Sequence, residues 1–405
     1  MIQQDRLKKR MLEMAEIGKT PNGGVTRLAL SEENRQGREL LMQWMKEIGL
    51  AVRYDDFGNI IGRLEGSDPD AAVVMAGSHI DSVPKGGKFD GVLGVLGALE
   101  VVETIRGQGI DHRNPIEVVA FTNEEGARFT PQMLGSGAVT GEFSKAYTYA
   151  RTDWDGFRFE EELQKIGFVG AEENRPKNVE TFIEMHIEQG PTLEVNDETV
   201  GVVTGIAGFT WLEVTVHGDS NHSGTTPMSY RKDSLVTASG VIRALSDWAN
   251  GKPDGVVATV GKIKTSPDII NAVPGETTFT IDIRCPDEDQ FDAYFAEVHE
   301  LIRRVVSEDE LTCTIDEIKT HPPVVFSERV VGTIDEVCRD LEVSYRSMAS
   351  GAGHDAMYMH NIADTAMIFV PSINGKSHCE EEETRWEDIE QGVNVLYEAI
   401  VRLSQ

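Results

Sequence analysis

Short apolar runs that alternate with helical stretches constrain this chain more than any other feature of its sequence. The runs AAVVMAG (71–77), IEVVAFT (116–122) and TAMIFVPS (365–372) have the length of strands and no regular polar alternation. Such runs are typical of strands buried on both faces, as in parallel sheets. GVLGVLGALEVVETI (91–105) is apolar around most of a helix. This order predicts an α/β fold whose mixed sheet is parallel at its centre and flanked by helices.

The middle of the chain has a different pattern. The segments 211–218, 275–286 and 312–319 alternate with period two, which is typical of strands with one buried face. Between them, 231–250 and 291–308 read as helices. We predict a small α+β domain in which two helices cover one face of a sheet and leave the other face open.

The predicted domain boundaries follow from this change of pattern. A chain of 405 residues has room for two or three domains of ~150 residues each. Because the α/β pattern resumes after about residue 322, we predict that 208–321 is an inserted domain. The segments 1–207 and 322–405 then form the α/β domain together.

Charge and composition exclude several kinds of partner. The chain has 38 basic and 68 acidic residues, a formal net charge of −30. A surface this acidic repels phosphate backbones and anionic lipids, so we expect neither a nucleic-acid partner nor a membrane partner. The N-terminal stretch 1–18 is amphipathic and lacks the apolar core of a signal peptide. We therefore predict a cytoplasmic protein.

Residues that can bind metals follow the ends of four predicted strands. They are His79, Asp81 and Asp90 after the first run, Glu124 and Glu125 after the second, His186 in the segment 181–190, and His378 after the last run. Ligands of open α/β sheets bind beyond the carboxyl ends of the strands. Histidines mixed with carboxylates suit Zn, Mn, Co or Ni. The sequence therefore predicts a metal site at this edge.

Two local spacings refine this prediction. In His79-x-Asp81, a carboxylate two residues on can orient the imidazole. The adjacent acids Glu124 and Glu125 point in different directions on a turn, so one can bind a metal while the other handles protons. Each residue taken alone has an ordinary structural explanation, and the prediction depends on their coincidence at four strand ends.

These residues lie in longer motifs that carry a family resemblance. The motifs are GSHIDSVPKGGKFDGVLGVL (77–96), AFTNEEGARF (120–129), MHIEQGPTLE (185–194), GIAGFTWLEVTVHGDSNHSGTTPM (205–228), SGAGHDAM (350–357) and MIFVPSINGKSH (367–378). Over nearly its whole length the chain resembles the M20-type metallopeptidase clan. Within the clan it is similar to the amidase/hydantoinase/carbamoylase branch, which includes N-carbamoyl-L-amino-acid hydrolases, allantoate amidohydrolases and β-ureidopropionases.

The resemblance implies a catalytic α/β domain with two divalent metal ions per subunit, interrupted by a lid domain that also forms a homodimer. It implies that His79 and His186 bind one ion, that Glu125 and His378 bind the other, and that Asp90 bridges them. Zinc is the metal we favour, while the ligand types leave manganese, cobalt and nickel open.

The resemblance also implies catalytic roles. Asp81 would orient the first histidine, and Glu124 would be the general base. His222, in DSNHSG, would stabilise the oxyanion in the active site of the neighbouring subunit. The implied substrate contacts are Gln189, His222, Asn271, Arg284 and Gly353. The guanidinium fork of Arg284 suits a substrate carboxylate. His354, in the same motif as Gly353, has either a functional or a purely structural role.

One segment departs from the usual pattern of the family. After His378 the chain continues with Cys379 and the acidic run 380–383, where relatives often have a small or Pro-containing stretch. We interpret it as a solvent-facing loop with a stray thiol. The alternative is that Cys379 lies near a metal and makes the enzyme sensitive to oxidation.

The function implied is a metal-dependent amidohydrolase that cleaves a linear, non-peptide C–N bond of a ureido acid and releases ammonia. N-carbamoyl-L-amino acids and allantoate are both plausible, because both combine a carboxylate with a terminal ureido group. One alternative is an M20-type aminoacylase or exopeptidase, against which His186 and its HIEQG context argue. The other is a non-catalytic dimeric binding protein, against which the complete set of ligands and base argues.

Overall fold

The structure is a computed structural model that describes residues 1–253 and 255–405. Its strands are β1 (Ala51–Tyr54), β2 (Ile60–Leu64), β3 (Val73–His79), β4 (Ile116–Phe121), β5 (Val179–Ile187), β6 (Val200–Ile206), β7 (Gly208–His217), β8 (Asn221–His222), β9 (Val257–Ser266), β10 (Ala272–Val273), β11 (Glu276–Cys285), β12 (Thr312–His321), β13 (Val324–Val325), β14 (Tyr345–Ser350) and β15 (Asp364–Val370).

The helices alternate with these strands over most of the chain. They are α1 (Gln4–Ala15), α2 (Glu32–Glu47), α3 (Val92–Gln108), α4 (Leu134–Thr140), α5 (Lys145–Tyr149), α6 (Phe159–Lys165), α7 (Thr192–Val195), α8 (Ser234–Asn250), α9 (Glu288–Glu308), α10 (Glu328–Asp340), α11 (Ala356–Met359) and α12 (Trp386–Leu403). Three short 3₁₀ segments lie at Glu172–Asn174, Met228–Tyr230 and Ile373–Gly375. Within the described residues, no helix has the combination of length and apolar character that a bilayer span needs.

The large sheet has nine strands in the order β1-β2-β4-β3-β5-β15-β6-β13, with β14 also paired to β6. Its centre, β4-β3-β5-β15, is parallel, and β1, β2 and β6 are antiparallel to their neighbours. Every residue of β3 and β4 is buried, because α3 and other helices cover these strands. The predicted mixed α/β fold is confirmed.

Helix α3 is apolar around most of its circumference because other strands and helices pack against it on several sides. It packs against β3 and β5 and against α1 and α12, and it is bounded by two glycines of positive φ, Gly91 and Gly109. Two separate features of Gly91 exclude a side chain at this position. Its φ is +64°, and an added Cβ would lie 2.3 Å from the His79 ring. The start of α3 is therefore pressed against the end of β3.

The middle of the chain forms a four-stranded antiparallel sheet in the order β12-β7-β11-β9. Buried and half-buried residues alternate along β11. The buried side packs with α8 and α9 around Leu212, Phe279 and Ile302, while Trp211 on β7 stays 39% exposed. Two helices thus cover one face of the sheet, as the alternation predicts. Strand β9 is an element that the sequence reasoning missed.

The chain divides into two compact units. The first comprises Met1–Thr204, Phe326–Met348 and Ala352–Gln405, and the second comprises Gly205–Val325 with Ala349–Gly351. The insertion therefore begins at Gly205 rather than 208 and ends at Val325 rather than 321. The return of Ala349–Gly351 to the second unit has no signal in the sequence pattern that we used.

Candidate metal centre

Four strand ends meet at one edge of the large sheet. Strands β3, β4, β5 and β15 are parallel, so their carboxyl ends lie together. His79 is the last residue of β3, and His186 is the next-to-last residue of β5. Glu124 and Glu125 follow β4, and His378 follows β15. The sheet order therefore brings together residues that lie up to 299 positions apart in the chain.

Asp90, in the loop before α3, lies between two groups of these residues. Its Oδ1 is 3.4 Å from His79 Nε2 and 3.2 Å from His186 Nε2. These three residues offer one ligand atom each within 4.8 Å of one another. We call them the inner set, since all three are buried.

The other oxygen of Asp90 faces a second group. Asp90 Oδ2 is 3.3 Å from His378 Nε2, which is 3.4 Å from Glu125 Oε2. These atoms also lie within 4.8 Å of one another. We call Asp90, Glu125 and His378 the outer set. The two sets share one carboxylate, and each oxygen of that carboxylate serves one set.

The charge balance of this edge fits divalent cations. Asp90, Glu124 and Glu125 have side chains that are 4 to 8% exposed. In residues 1–253 and 255–405, they form salt bridges with histidines but none with lysine or arginine. Burial and neighbouring Asp90 raise the pKa of Glu125 to about 8. Buried carboxylates without cations are costly, and divalent metal ions would offset that cost.

The ring orientations of the inner histidines also suit metal binding. His79 Nδ1 lies 2.9 Å from the main-chain oxygen of Asp81, and His186 Nδ1 lies 2.9 Å from that of Ile187. A carbonyl oxygen only accepts, so each Nδ1 carries the proton and donates it. Each ring thereby turns its Nε2, the atom that would bind a metal ion, toward Asp90.

Asp81 orients His79 through a different atom from the one predicted. Its main-chain carbonyl, not its carboxylate, accepts from the ring. The carboxylate instead accepts from the backbone N–H groups of Asn123, Glu124 and Glu125 at 3.1, 3.4 and 3.3 Å. The predicted carboxylate contact is therefore wrong in its atom, and Asp81 joins the end of β3 to the turn after β4.

Glu124 lies beside the inner set without belonging to either set. Its Oε2 is 3.5 Å from His79 Nε2, and the residue is 6% exposed. Burial raises the pKa of Glu124 well above its ordinary value, and neighbouring His79 opposes that rise. A carboxylate whose environment favours the protonated form is suited to accept a proton.

Gln189 contacts the shared carboxylate directly. Its backbone has a φ of +61°, and its N–H donates to Ser372 Oγ at 3.0 Å. Its side-chain amide donates to Asp90 Oδ2 at 3.0 Å and lies 3.2 Å from Ser377 Oγ. The residue predicted as a substrate contact thus also supports Asp90.

His354 lies beside the inner set, and both it and the preceding Gly353 belong to the first unit. The His354 ring meets the His186 ring edge-on, with centroids 4.5 Å apart. Burial lowers the pKa of His354 well below its ordinary value, and His186 lowers it further. A Cβ on Gly353 would come within 2.7 Å of Gln132 Nε2.

Three predicted substrate residues lie in the second unit. His222 is exposed, and its Nδ1 accepts from the Gly224 N–H at 3.0 Å, so its Nε2 carries the proton. The main-chain oxygen of Asn271 accepts from Ser223 N–H at 3.1 Å.

Arg284, the third of them, is held within the same unit. Its guanidinium donates to Asp282 Oδ2 at 3.0 Å and to the Gly351 carbonyl at 2.6 Å. The return of Ala349–Gly351 to this unit therefore places a backbone acceptor beside the guanidinium.

The sequence reasoning missed several buried polar residues near this edge. Glu184 accepts from Ser78 Oγ at 2.6 Å and from the Ala356 N–H at 2.8 Å, which ties β3 and β5 to α11. A usable signal was present, since Glu184 is a charged residue within a strand that is buried over most of its length. Ser136 donates to Asp355 Oδ1 at 2.5 Å.

The acidic run after His378 is not a solvent-facing loop throughout. Glu381 is exposed, but Glu382 is 2% exposed. Glu382 accepts from the backbone N–H groups of Phe89 and Asp90 at 3.0 and 3.1 Å. Burial and neighbouring Asp90 raise the pKa of Glu382 to about 7. The prediction is therefore wrong for Glu382. The Cys379 thiol is free and half-buried.

Comparison with known proteins places this chain in a family. The pattern of Peptidase family M20/M25/M40 matches residues 75–402. The chain belongs to this family. The predicted resemblance to the M20-type clan is confirmed.

Full-length relatives narrow the position within the family. The chain is 39% identical to an N-carbamoyl-L-amino-acid amidohydrolase of Rhizobium meliloti, over 99% of this chain and 96% of the relative. It is 36% identical to the allantoate amidohydrolase of Escherichia coli, over 95% and 94%. The prediction of a C–N amidohydrolase is thus confirmed at the level of the family branch.

A solved structure supports the same placement. An amidase of the hydantoinase/carbamoylase family from Burkholderia multivorans superposes with a TM-score of 0.95 at 41% identity, covering 100% of this chain and 98% of that one. The mixed sheet and its helices are therefore those of the carbamoylase branch. Together with the two His/carboxylate sets, this indicates a metal-dependent hydrolase.

Proposed function

We propose that this protein is a binuclear metal-dependent amidohydrolase that cleaves the terminal ureido C–N bond of an N-carbamoyl-L-amino acid or of allantoate, with release of ammonia. One observation carries the proposal. Asp90 divides its two oxygens between two histidine-containing sets, and Glu124, a buried carboxylate that belongs to neither set, lies beside one of them. The names of the full-length relatives supply the substrate class.

We propose two divalent cations per subunit. His79 and His186 would hold one, Glu125 and His378 the other, and Asp90 both. Zinc is the expected metal, and manganese, cobalt or nickel would suit the same ligands. When bound, the cations would supply Lewis-acid polarisation of the substrate oxygen and make an attacking water more acidic.

Glu124 moves the proton in this proposal. Its Oε2 accepts the proton of the attacking water and delivers it to the departing nitrogen, which leaves as ammonia. Asp81 holds the backbone on both sides of this residue through three N–H groups. The base is therefore on a turn whose position is tied to the end of β3.

Residues of the second unit would recognise the substrate. The protonated Nε2 of His222 is a donor for the oxyanion, and Arg284 offers a fork of donors to the substrate carboxylate. Asn271, Gln189 and the backbone of Gly353 complete the proposed contacts. Arg284 would exchange its contact with Asp282 for the substrate, because both are carboxylates.

Ammonia release tests the proposal. The purified protein, loaded with zinc or with manganese, is given allantoate or a panel of N-carbamoyl-L-amino acids, and ammonia is measured. Release from allantoate alone assigns an allantoate amidohydrolase, and release from the panel assigns a carbamoylase. Two bound ions with no release from either substrate would contradict the ureido substrate class and favour an aminoacylase or exopeptidase.

The variant Glu124→Gln tests the base. We expect it to keep both ions and to lose turnover by about 10²- to 10⁴-fold, the usual contribution of general acid–base catalysis. Glu381→Gln, an exposed acid of the same charge, is the control and should keep full turnover. Unchanged turnover in Glu124→Gln would reject this residue as the base.

We also propose that the protein is a homodimer in which His222 serves the active site of the neighbouring subunit. The support is the family resemblance together with the exposed position of His222 and its proton on Nε2. Mixing the inactive variants His222→Ala and Glu124→Gln under conditions that exchange subunits should restore part of the activity. No restoration in mixed dimers would show that each subunit uses its own His222.

A further inference from the structure

Glu382 connects two loops that carry ligands of the proposed metal site. Its Oε1 accepts from the N–H groups of Phe89 and Asp90 at 3.0 and 3.1 Å. Its Oε2 lies 3.0 Å from Ser377 Oγ, and Ser377 directly precedes His378. One buried carboxylate thus contacts both the loop that carries the shared ligand and the loop that carries the exposed ligand.

Ser377 extends this contact to the shared carboxylate itself. Its Oγ donates to Asp90 Oδ2 at 3.1 Å and lies 3.2 Å from the amide nitrogen of Gln189. Asp90 Oδ2 is the oxygen that faces His378. Glu382 therefore bonds the backbone of Asp90 directly, and it contacts the serine that bonds the outer oxygen of Asp90.

The loop that carries Glu382 is itself anchored on both sides. Its neighbour Glu383 pairs with Lys88 at 2.6 Å, and Glu380 bonds Thr20 and, at 2.8 Å, Asn22 Nδ2. Thr384 Oγ1 donates to the Pro371 carbonyl at 2.5 Å. These three anchors, at residues 380, 383 and 384, tie the loop of Glu382 to neighbouring segments on both sides.

Gly87 shows how closely the two loops approach. An added Cβ at Gly87 would lie 1.9 Å from Glu382 Oε1 and 2.0 Å from its carboxyl carbon. The absence of a side chain at this position therefore gives the carboxylate access to the N–H groups of Phe89 and Asp90. This close approach is an observation separate from the hydrogen bonds, and it supports the same position of the Glu382 carboxylate, against the loop of Phe89 and Asp90.

We propose that Glu382 is a positioning residue for the outer set: its reach, rather than its charge, holds Asp90 and His378 at the separation that a second metal ion requires. The inference rests on the two-metal site proposed above. Residues behind the ligands commonly change metal affinity by about 10- to 100-fold when they are replaced.

Two substitutions of Glu382 separate the length of its side chain, which we call its reach, from its charge. Glu382→Asp keeps the charge but is one methylene shorter, so it cannot reach the N–H groups of Phe89 and Asp90 while contacting Ser377. Glu382→Gln loses the charge but keeps an oxygen for the two N–H groups, and its amide can donate to Ser377 Oγ. Glu382→Ala removes both features. Glu381→Gln, exposed in the same run, is the matched control.

The experiment is a Co²⁺ titration of the metal-free, full-length proteins, followed by visible absorption and by competition with a chromophoric chelator. We expect the unchanged protein, Glu382→Gln and Glu381→Gln to bind two ions with similar affinity and the same spectrum. In Glu382→Asp and Glu382→Ala we expect one ion to bind about 10- to 100-fold more weakly, with altered absorption bands. Circular dichroism and thermal midpoints verify that each variant is folded.

Glu382→Asp and Glu382→Gln together decide the matter even if Glu382→Ala does not fold. Wild-type affinity in Glu382→Asp would overturn the proposal, and so would a loss in Glu382→Gln as large as that in Glu382→Asp, because charge would then be the cause. If the unchanged protein itself binds fewer than two ions, the proposed binuclear site fails together with this inference. Two ions bound equally by every variant overturn the inference alone.

Discussion

The inner and outer sets share Asp90 but are built in different ways. The inner histidines end regular strands, their side chains are 1% exposed, and a backbone carbonyl accepts from each ring. The outer histidine lies in a loop with a φ of +56°, and its side chain is 53% exposed. Strand geometry positions the inner set, whereas side chains such as Glu382, Ser377 and Gln189 position the outer set.

The difference teaches that one metal site can contain a rigid half and an adjustable half. The inner histidines cannot move without disturbing the parallel sheet. The outer ligands depend on hydrogen bonds between loops, which tolerate small displacements at lower cost. We therefore expect changes at the inner set to abolish function and changes at the outer set to weaken it in steps.

The largest effects should come from two single variants, one that removes a ligand of the inner set and one that removes a ligand of the outer set. We expect His186→Ala to lose turnover by about 10³-fold or more, since metal ions stabilise the transition state by several kcal/mol, and to lose both ions. His378→Ala should lose the outer ion and retain the inner one. Metal analysis and ammonia release after gel filtration measure both. If His186→Ala retained two ions, the inner set would be no less tolerant of change than the outer set, and the proposed difference between them would be wrong.

A second test displaces an inner ligand without removing it. Gly91→Ala places a Cβ 2.3 Å from the His79 ring at a φ of +64°, so we expect turnover and metal affinity to fall about 100-fold, at the upper end of the range for supporting positions. Gly109→Ala has the same φ of +64°, with a ψ of +38° where Gly91 has −46°, and no atom lies within 4 Å of the new Cβ.

The control should therefore lose only stability, by about 1 to 2 kcal/mol for a left-handed residue, with metal affinity unchanged. Denaturant unfolding and Co²⁺ titration separate the two effects. Equal metal affinities in Gly91→Ala and Gly109→Ala would mean that the end of β3 is less rigid than the comparison requires.

The smallest effect is expected at Asp81, which connects the inner set to the turn of Glu124 and Glu125. Asp81→Asn keeps one oxygen for the N–H groups of this turn and leaves the main-chain contact with His79 in place. We expect kcat to fall about tenfold while two ions remain bound. A loss of the inner ion in this variant would show that the Asp81 carboxylate supports His79 after all.

Much of the site could be predicted because its ligands follow a simple rule of α/β sheets. His79, Glu125 and His378 follow apolar runs within two to six residues, so the polar residues near strand ends mark the edge where ligands bind. Glu382 could not be found in this way. In the sequence it is one of four consecutive glutamates, and nothing in their charge separates the buried one from its exposed neighbour Glu381.

The fold shows the same division between what is local and what is not. The alternating pattern of 275–286 and the apolar run at 71–77 predict β11 and β3 because side-chain periodicity follows directly from burial on one or two faces. The segment Ala349–Gly351 joins the second unit through tertiary contacts alone, and no periodicity records that.

By itself the sequence determined the α/β class, the insertion and the residue types of a metal site, since these depend on burial pattern and on chemistry read at single positions. Only the tertiary structure decided which atom does what. It assigned one oxygen of Asp90 to each set, gave the His79 contact to the Asp81 carbonyl and turned Glu382 inward. The physical reason is that a hydrogen bond depends on distance and direction between chain segments far apart in sequence, and neither quantity is written in the order of residues.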